Sequence, residues 1–258
     1  MVVKIDRTGE ESINNFGSKI VITKYNYARD IDVYFPEYNW TAKNVEYRQF
    51  KNGEIKCPYE RRAFGVGYMG EGKYRSKENG KTTRIYKTWQ SMLQRCYDKK
   101  YHEKRPTYIG CAVDKYWHNF QNFAKWYEEN YYTIEGERMH LDKDVLVKGN
   151  KVYSSETCIF VPQTINLLFT KRNNARGESV IGTSLKNGKY KVECHIINLK
   201  TGKSKKEYLG YYDTQEKAFE VYKQYKEKYI KEVADHYKDQ IPEKLYQVLY
   251  EYQVEITD

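Results

Sequence analysis

Residues 138–169, RMHLDKDVLVKGNKVYSSETCIFVPQTINLLF, read as strand, turn, strand and short helix. Leu141 to Val147 supplies the first strand, Lys148-Gly149-Asn150 the turn, and Cys158 to Val161 the return strand. Ile165, Leu168 and Phe169 then fall at helical spacing. Helical segments precede this β-β-α stretch and short strands follow it, so the expected class is α+β with several small domains. The expected divisions are a β-rich module over 1–72, a ββα core with supporting helices over 73–172, and a sheet-plus-helix domain with its extension over 173–258.

Working upstream, Ile85, Trp89, Met92, Leu93 and Cys96 lie on one face of a helix, and Val113, Trp117, Phe120, Ala124 and Tyr127 on one face of a second. The segment Phe64 to Gly72 contains GxGxxG in form. That motif binds a dinucleotide only where a buried strand leads into it and a helix leaves it. The charged, turn-rich Lys73 to Lys81 follows instead, so a connecting loop is expected. Further upstream, Ile20 and Ile22, then Ile31, Val33 and Phe35, alternate with polar residues as half-buried strands do. Asn52-Gly53, between Phe50 and Ile55, predicts a hairpin turn.

Downstream, Val180-Ile181-Gly182, Tyr190 to Cys194 and Tyr208-Leu209-Gly210 predict three strands joined by Lys186-Asn187-Gly188-Lys189 and Lys200-Thr201-Gly202-Lys203. A helix follows, with Asp213 as its expected cap and Glu216 three residues on. Its stripe is Ala218, Tyr222, Tyr225, Tyr229 and Val233. Ile241 to Asp258 predicts a short helix and a last strand through Tyr252, Val254 and Ile256.

The composition narrows the function. The 258-residue chain carries a formal charge of +10, and its mean hydropathy is −0.93. Twenty-eight tyrosines let small cores bury aromatic area while keeping a polar tip near water. Ten Lys and Arg against three Glu lie within 171–209, a local charge of +7. Such a concentration on one small sheet is the footprint of a phosphate-binding face, the other reading being a solvated basic face. The candidate nucleic-acid-binding residues are Arg172, Arg176, Lys186, Lys189, Lys191, Lys203, Lys205 and Lys206. Lysine outnumbers arginine, which favours backbone positioning over base reading. No stretch approaches the ~20 apolar residues of a spanning helix. The five cysteines lack CxxC spacing, and MVVKIDRTGE lacks an apolar leader core. Reduced thiols, a cytoplasmic location and no membrane partner are the expectations.

His140, Asp142 and Asp144 alternate along the predicted strand, which places them on a common face able to share a divalent ion, zinc being the best match for histidine with carboxylates. The competing reading makes His140 a surface histidine and Asp142 a turn-stabilising carboxylate. His118 is expected on the watery side of its helix.

Two motifs carry a resemblance. Tyr190 to Tyr211, with Leu209-Gly210 before a Thr214-started helix containing Ala218, resembles an AP2 DNA-binding domain, which presents a three-stranded sheet to DNA and backs it with one helix. Leu141-Asp142-Lys143-Asp144, Gly149-Asn150 and Tyr153 to Cys158 resemble the ββα-metal core of HNH endonucleases. The pairing is similar to phage HNH/AP2-type proteins and covers roughly residues 85–240. It implies the cytoplasm of a host cell as the location. An HNH core needs a base for water and groups that hold a metal at the scissile phosphate. On this resemblance Asp142 stands at the general-base position, Leu141 at the usual metal-aspartate position and Thr157 at the helix-side metal position. Leu141 cannot bind metal, and Asp142 replaces histidine only with a raised pKa. Three readings follow: a non-catalytic protein that binds nucleic acid or a nucleoprotein, with a structural zinc; a phage counter-defence inhibitor, such as an anti-CRISPR acting on a host defence nuclease; and a magnesium- or manganese-dependent homing-type endonuclease using Asp142.

Overall fold

The structure is a computed structural model describing residues 5–169, 179–199, 201–256 and 258. In chain order the elements are β1 (Glu11–Ile13), β2 (Lys19–Tyr27), β3 (Asp30–Phe35), β4 (Trp40–Val45), α1 (Tyr47–Lys51), β5 (Lys77–Glu78), β6 (Lys81–Thr82), α2 (Arg84–Tyr97), α3 (Lys99–Lys104), β7 (Ala112–Val113) and α4 (Phe120–Asn130). They continue with β8 (Met139–Asp142), β9 (Val152–Tyr153), β10 (Ile159–Pro162), α5 (Gln163–Leu168), β11 (Thr183–Lys186), β12 (Lys189–Ile197), β13 (Ser204–Tyr212), α6 (Gln215–Tyr237) and α7 (Glu243–Tyr250). The class is α+β, and the chain forms two compact units: residues 1–129 with 151–154, and residues 130–150 with 155–258.

In the first unit β1 to β4 form an antiparallel sheet in sequence order. The alternation read from the sequence holds: Ile20, Ile22, Ile31, Val33 and Phe35 are all buried and pack with Phe50 and Ile55. Asn52-Gly53 does not make the expected hairpin. It ends α1, with Asn52 as the C-cap and Gly53 at φ +67°, because a left-handed glycine terminates a helix as readily as it turns a hairpin. Lys77–Glu78 and Lys81–Thr82 pair as a small hairpin, so the glycine-rich segment leads into no helix before Arg84. Helix α2 buries Trp89, Met92, Leu93 and Cys96. The second expected helix is divided: Val113 belongs to β7, a 3-10 turn spans Lys115–His118, and α4 begins at Phe120. Asp114 caps that turn by accepting from Tyr116 N at 2.8 Å. Trp89 Nε1 donates to the Trp117 carbonyl at 2.7 Å, and its ring packs 5.4 Å from that of Phe120. His118 is half-buried against Tyr97 and the Val113 carbonyl rather than in water.

In the second unit β8 and β10 pair antiparallel, with Leu141 opposite Phe160 and Asp142 opposite Ile159. Helix α5 follows directly. The first strand is shorter than expected and shifted upstream: it ends at Asp142, not Val147. The Asp142 Oδ1 accepts from the N–H groups of Asp144 and Val145, both at 2.8 Å, and bends the chain out of the strand. The second sheet has the order β11-β12-β13. Its first strand starts at Thr183, where Val180 to Gly182 had been expected. Thr214, not Asp213, caps α6, accepting from Lys217 N. One apolar core joins Val192 and Cys194 of the sheet, Ala218, Ile230 and Val233 of α6, and Val161 and Ile165. Helix α7 closes it with Leu245 and Leu249. The expected last strand is absent among the described residues; Tyr252 and Val254 pack on the core from irregular chain. All five cysteines are buried and none forms a disulfide. Among the described residues no helix is long and apolar enough to cross a membrane.

Candidate nucleic-acid interface

Side chains directly opposite one another in an antiparallel pair share a face. In the β11-β12-β13 sheet this places Lys186 with Lys189, Ser184 with Lys191, Lys191 with Tyr211, Glu193 with Tyr208 and His195 with Lys206 on one face. The alternate residues Val192, Cys194 and Ile196 point the other way, into the core beneath α6. The open face is therefore the one α6 does not cover, and it holds Lys186, Lys189, Lys191, His195 and Lys206 around two exposed tyrosines.

Those tyrosines depend on a break in the ladder. Residues 208 and 211 are three apart, which in a regular strand puts them on opposite faces. Here the register slips beside Val192 and Glu193, so that Val192 faces Gly210 while Glu193 faces Tyr208. Leu209 turns into the core, and Gly210 takes φ +116°, a bulge that glycine accommodates best. Tyr208 and Tyr211 then meet edge to face with ring centroids 5.9 Å apart, 56% and 45% exposed. The sequence reading missed both; Leu209-Gly210 inside a strand was the available signal for the bulge.

Local pairing reduces the charge. Lys189 contacts Asp213 at 3.0 Å, Lys191 contacts Glu193 at 2.7 Å and Lys205 contacts Glu207 at 2.7 Å. The hydrogen bond between Lys191 and Glu193 holds the ammonium pKa up and the carboxylate pKa down. Lys186, Lys203 and Lys206 form no ion pair among the described residues. Not all the candidate lysines lie together. Lys205 faces Ile196 on the opposite side from Lys206, and Lys203 sits in the turn closed by Asn198 N to Lys203 O at 2.9 Å. Arg172 and Arg176 lie outside the described residues.

At the β8 end, His140 and Asp142 are in the strand but Asp144 is beyond it. The expected alternation therefore holds for His140 and Asp142 only, while the carboxyl of Asp144 lies near that of Asp142. Asp142 is half-buried, and burial first, then repulsion from Asp144, pushes its carboxyl up to about 6. Asp144 itself contacts Lys143 at 3.2 Å. Among the described residues no group of three or more His, Cys, Asp or Glu side chains is placed to hold a metal ion. The Asp142 Oδ1 accepts from two backbone N–H groups at this end of the strand. Leu141 is buried, 8% exposed. No family model, curated protein or solved structure matches this chain.

Proposed function

We propose that this protein binds nucleic acid through the open face of the β11-β12-β13 sheet, and that the β8-β10-α5 segment serves as a folding core rather than a nuclease. The carrying observation is the one-sided arrangement of Lys186, Lys189, Lys191, His195 and Lys206 around exposed Tyr208 and Tyr211. Ammonium groups neutralise phosphates and release counterions, which rewards clustered lysines whatever the base sequence. Tyrosine faces add stacking area for unpaired bases. The face has no arginine, asparagine or glutamine among its strand residues, so it lacks the planar forks best suited to bidentate base contacts, and weak sequence preference follows.

A sheet with one helix behind it supports the AP2-like reading of this region. The order β8, β10, α5 supports an HNH-like ancestry of the core. Against a nuclease stand buried Leu141 at the metal position and the commitment of Asp142 to its turn.

The test is a pair of charge reversals on neighbouring residues. Lys206→Glu, on the open face, is expected to weaken binding of a labelled oligonucleotide on the order of tenfold, by fluorescence anisotropy at fixed salt. Lys205→Glu, on the other face, is expected to change it less than about threefold. Equal losses from both variants would show that net charge, not this face, governs binding.

A further inference from the structure

Strand β11 covers only the first half of β12, pairing Thr183 to Lys186 with Lys189 to Val192. Glu193 N–H still donates to the Gly182 carbonyl at 3.0 Å. Beyond it β12 has no partner strand on this edge among the described residues, and a cavity of about 620 Å³ lies there, bounded by α6 and by Phe169, Tyr252 and Val254. The Tyr229 hydroxyl satisfies both backbone groups of Ile197 at this edge, accepting from N–H at 2.7 Å and donating to the carbonyl at 2.9 Å. The edge is thus closed to a pairing strand at Ile197 but leaves room for a small molecule.

The cavity wall has an unusual member. Lys226 of α6 is 8% exposed and lines this space. Its ammonium makes no hydrogen bond or ion pair with a described residue; it lies 5.8 Å from the Tyr229 ring centroid. Burial lowers its pKa, as expected for a cation taken from water without a counter-charge. The carboxylates that also line the cavity are engaged elsewhere: Glu193 with Lys191 at 2.7 Å, Asp258 with Lys148 at 2.9 Å. Lys206 is a second cation on the rim, and Thr183 and Ser184 supply hydroxyls. Ile181, Ile196, Ile230 and Phe169 make the remaining wall largely apolar. An apolar cavity of this size with a few convergent polar groups is the usual form of a small-molecule site.

We infer that this cavity binds an organic anion, with a carboxylate or phosphate head held by Lys226 and an apolar body lying between α6 and the open edge of β12. Lys226 itself lies on the helix side of the sheet, so its variant tests the cavity without altering the nucleic-acid face, although Lys206 and His195 border both. An anion there makes the buried ammonium intelligible: ligand charge supplies the counter-ion that no described residue does.

The test is isothermal calorimetry on the full chain at pH 7 with four probes below their aggregation limits: octyl phosphate, octanoate, octanol and inorganic phosphate. Saturable one-to-one binding of octyl phosphate or octanoate is expected, at least about tenfold tighter than octanol or inorganic phosphate. Lys226→Met, which retains the packing volume, is expected to lose that preference while unfolding at an unchanged or higher urea midpoint. Octanol binding as tightly as octyl phosphate overturns the role of the ammonium. Inorganic phosphate binding as tightly as octyl phosphate overturns the apolar body. Absence of binding by either amphiphile, or full binding by Lys226→Met, overturns the site. The comparison with octanol decides the matter on the unaltered chain even if the variant does not fold.

Discussion

Replacing Asp142 by asparagine isolates the electrostatics at the end of β8. The amide oxygen keeps the acceptor for the N–H groups of Asp144 and Val145, both at 2.8 Å. What disappears is the charge, whose burial and proximity to Asp144 raise the carboxyl from 3.8 to about 6. Each pKa unit corresponds to about 1.4 kcal/mol, so the ionised carboxylate costs up to about 3 kcal/mol at neutral pH. Because the residue is partly open to water, about 1–2 kcal/mol is the expected measured value. The native state holds this proton more tightly than the unfolded chain. The contribution is therefore fully present below the unfolded value of 3.8 and lost as pH rises through about 6. Urea denaturation with chelator present should find Asp142→Asn more stable than the unaltered chain at pH 7.5, with the two converging by pH 4. An asparagine variant that is less stable at pH 7.5, or a difference that ignores pH, would refute the burial argument.

Two further predictions concern the second unit. Gly182 adopts φ +75°, and a Cβ there would overlap the Tyr222 ring. Gly182→Ala is expected to cost roughly 2–4 kcal/mol by left-handed strain and overpacking together, read as a lower urea midpoint; a loss under about 1 kcal/mol contradicts the packing. Tyr229→Phe leaves the N–H and carbonyl of Ile197 without their hydroxyl partner. A cost of about 1–3 kcal/mol is expected, together with faster hydrogen exchange of the Ile197 amide; unchanged protection refutes it.

The sequence disclosed those elements whose pattern and burial coincide. The Trp89, Met92, Leu93 and Cys96 stripe announced α2 because every third or fourth residue is buried in it. Ile31, Val33 and Phe35 announced β3 because one face is fully covered. Misreadings arose where one residue type serves two geometries. Asn52-Gly53 suits a hairpin and a helix end alike, and the adjoining Glu46 to Gln49 capping box selected the helix. Asp142, by contrast, closes β8 and accepts for the turn that follows, in line with the turn-stabilising reading of that residue. Asp213 suits a cap, but Thr214 took that role while Asp213 paired with Lys189.

The candidate interface was visible as charge but not as a face. A count over 171–209 cannot see that Lys205 and Lys206 point to opposite sides, nor that Asp213, outside that span, neutralises Lys189. It also cannot see the bulge that brings Tyr208 and Tyr211 together, because that depends on the pairing of β12 with β13. Asp142 and Asp144 lie near each other, but β8 ends at Asp142, so the alternation expected to carry His140, Asp142 and Asp144 on one face stops before Asp144.

The central claim, that the open sheet face binds nucleic acid through its lysines, is tested most directly by the salt dependence of binding to a duplex of arbitrary sequence. With Lys186, Lys189, Lys191 and Lys206 each neutralising one phosphate, the slope of log affinity against log salt is expected to be about −3 to −4. Removing Lys186 and Lys206 together should make it shallower by about 2. A slope that is unchanged in the double variant, or no binding at low salt, would contradict the account.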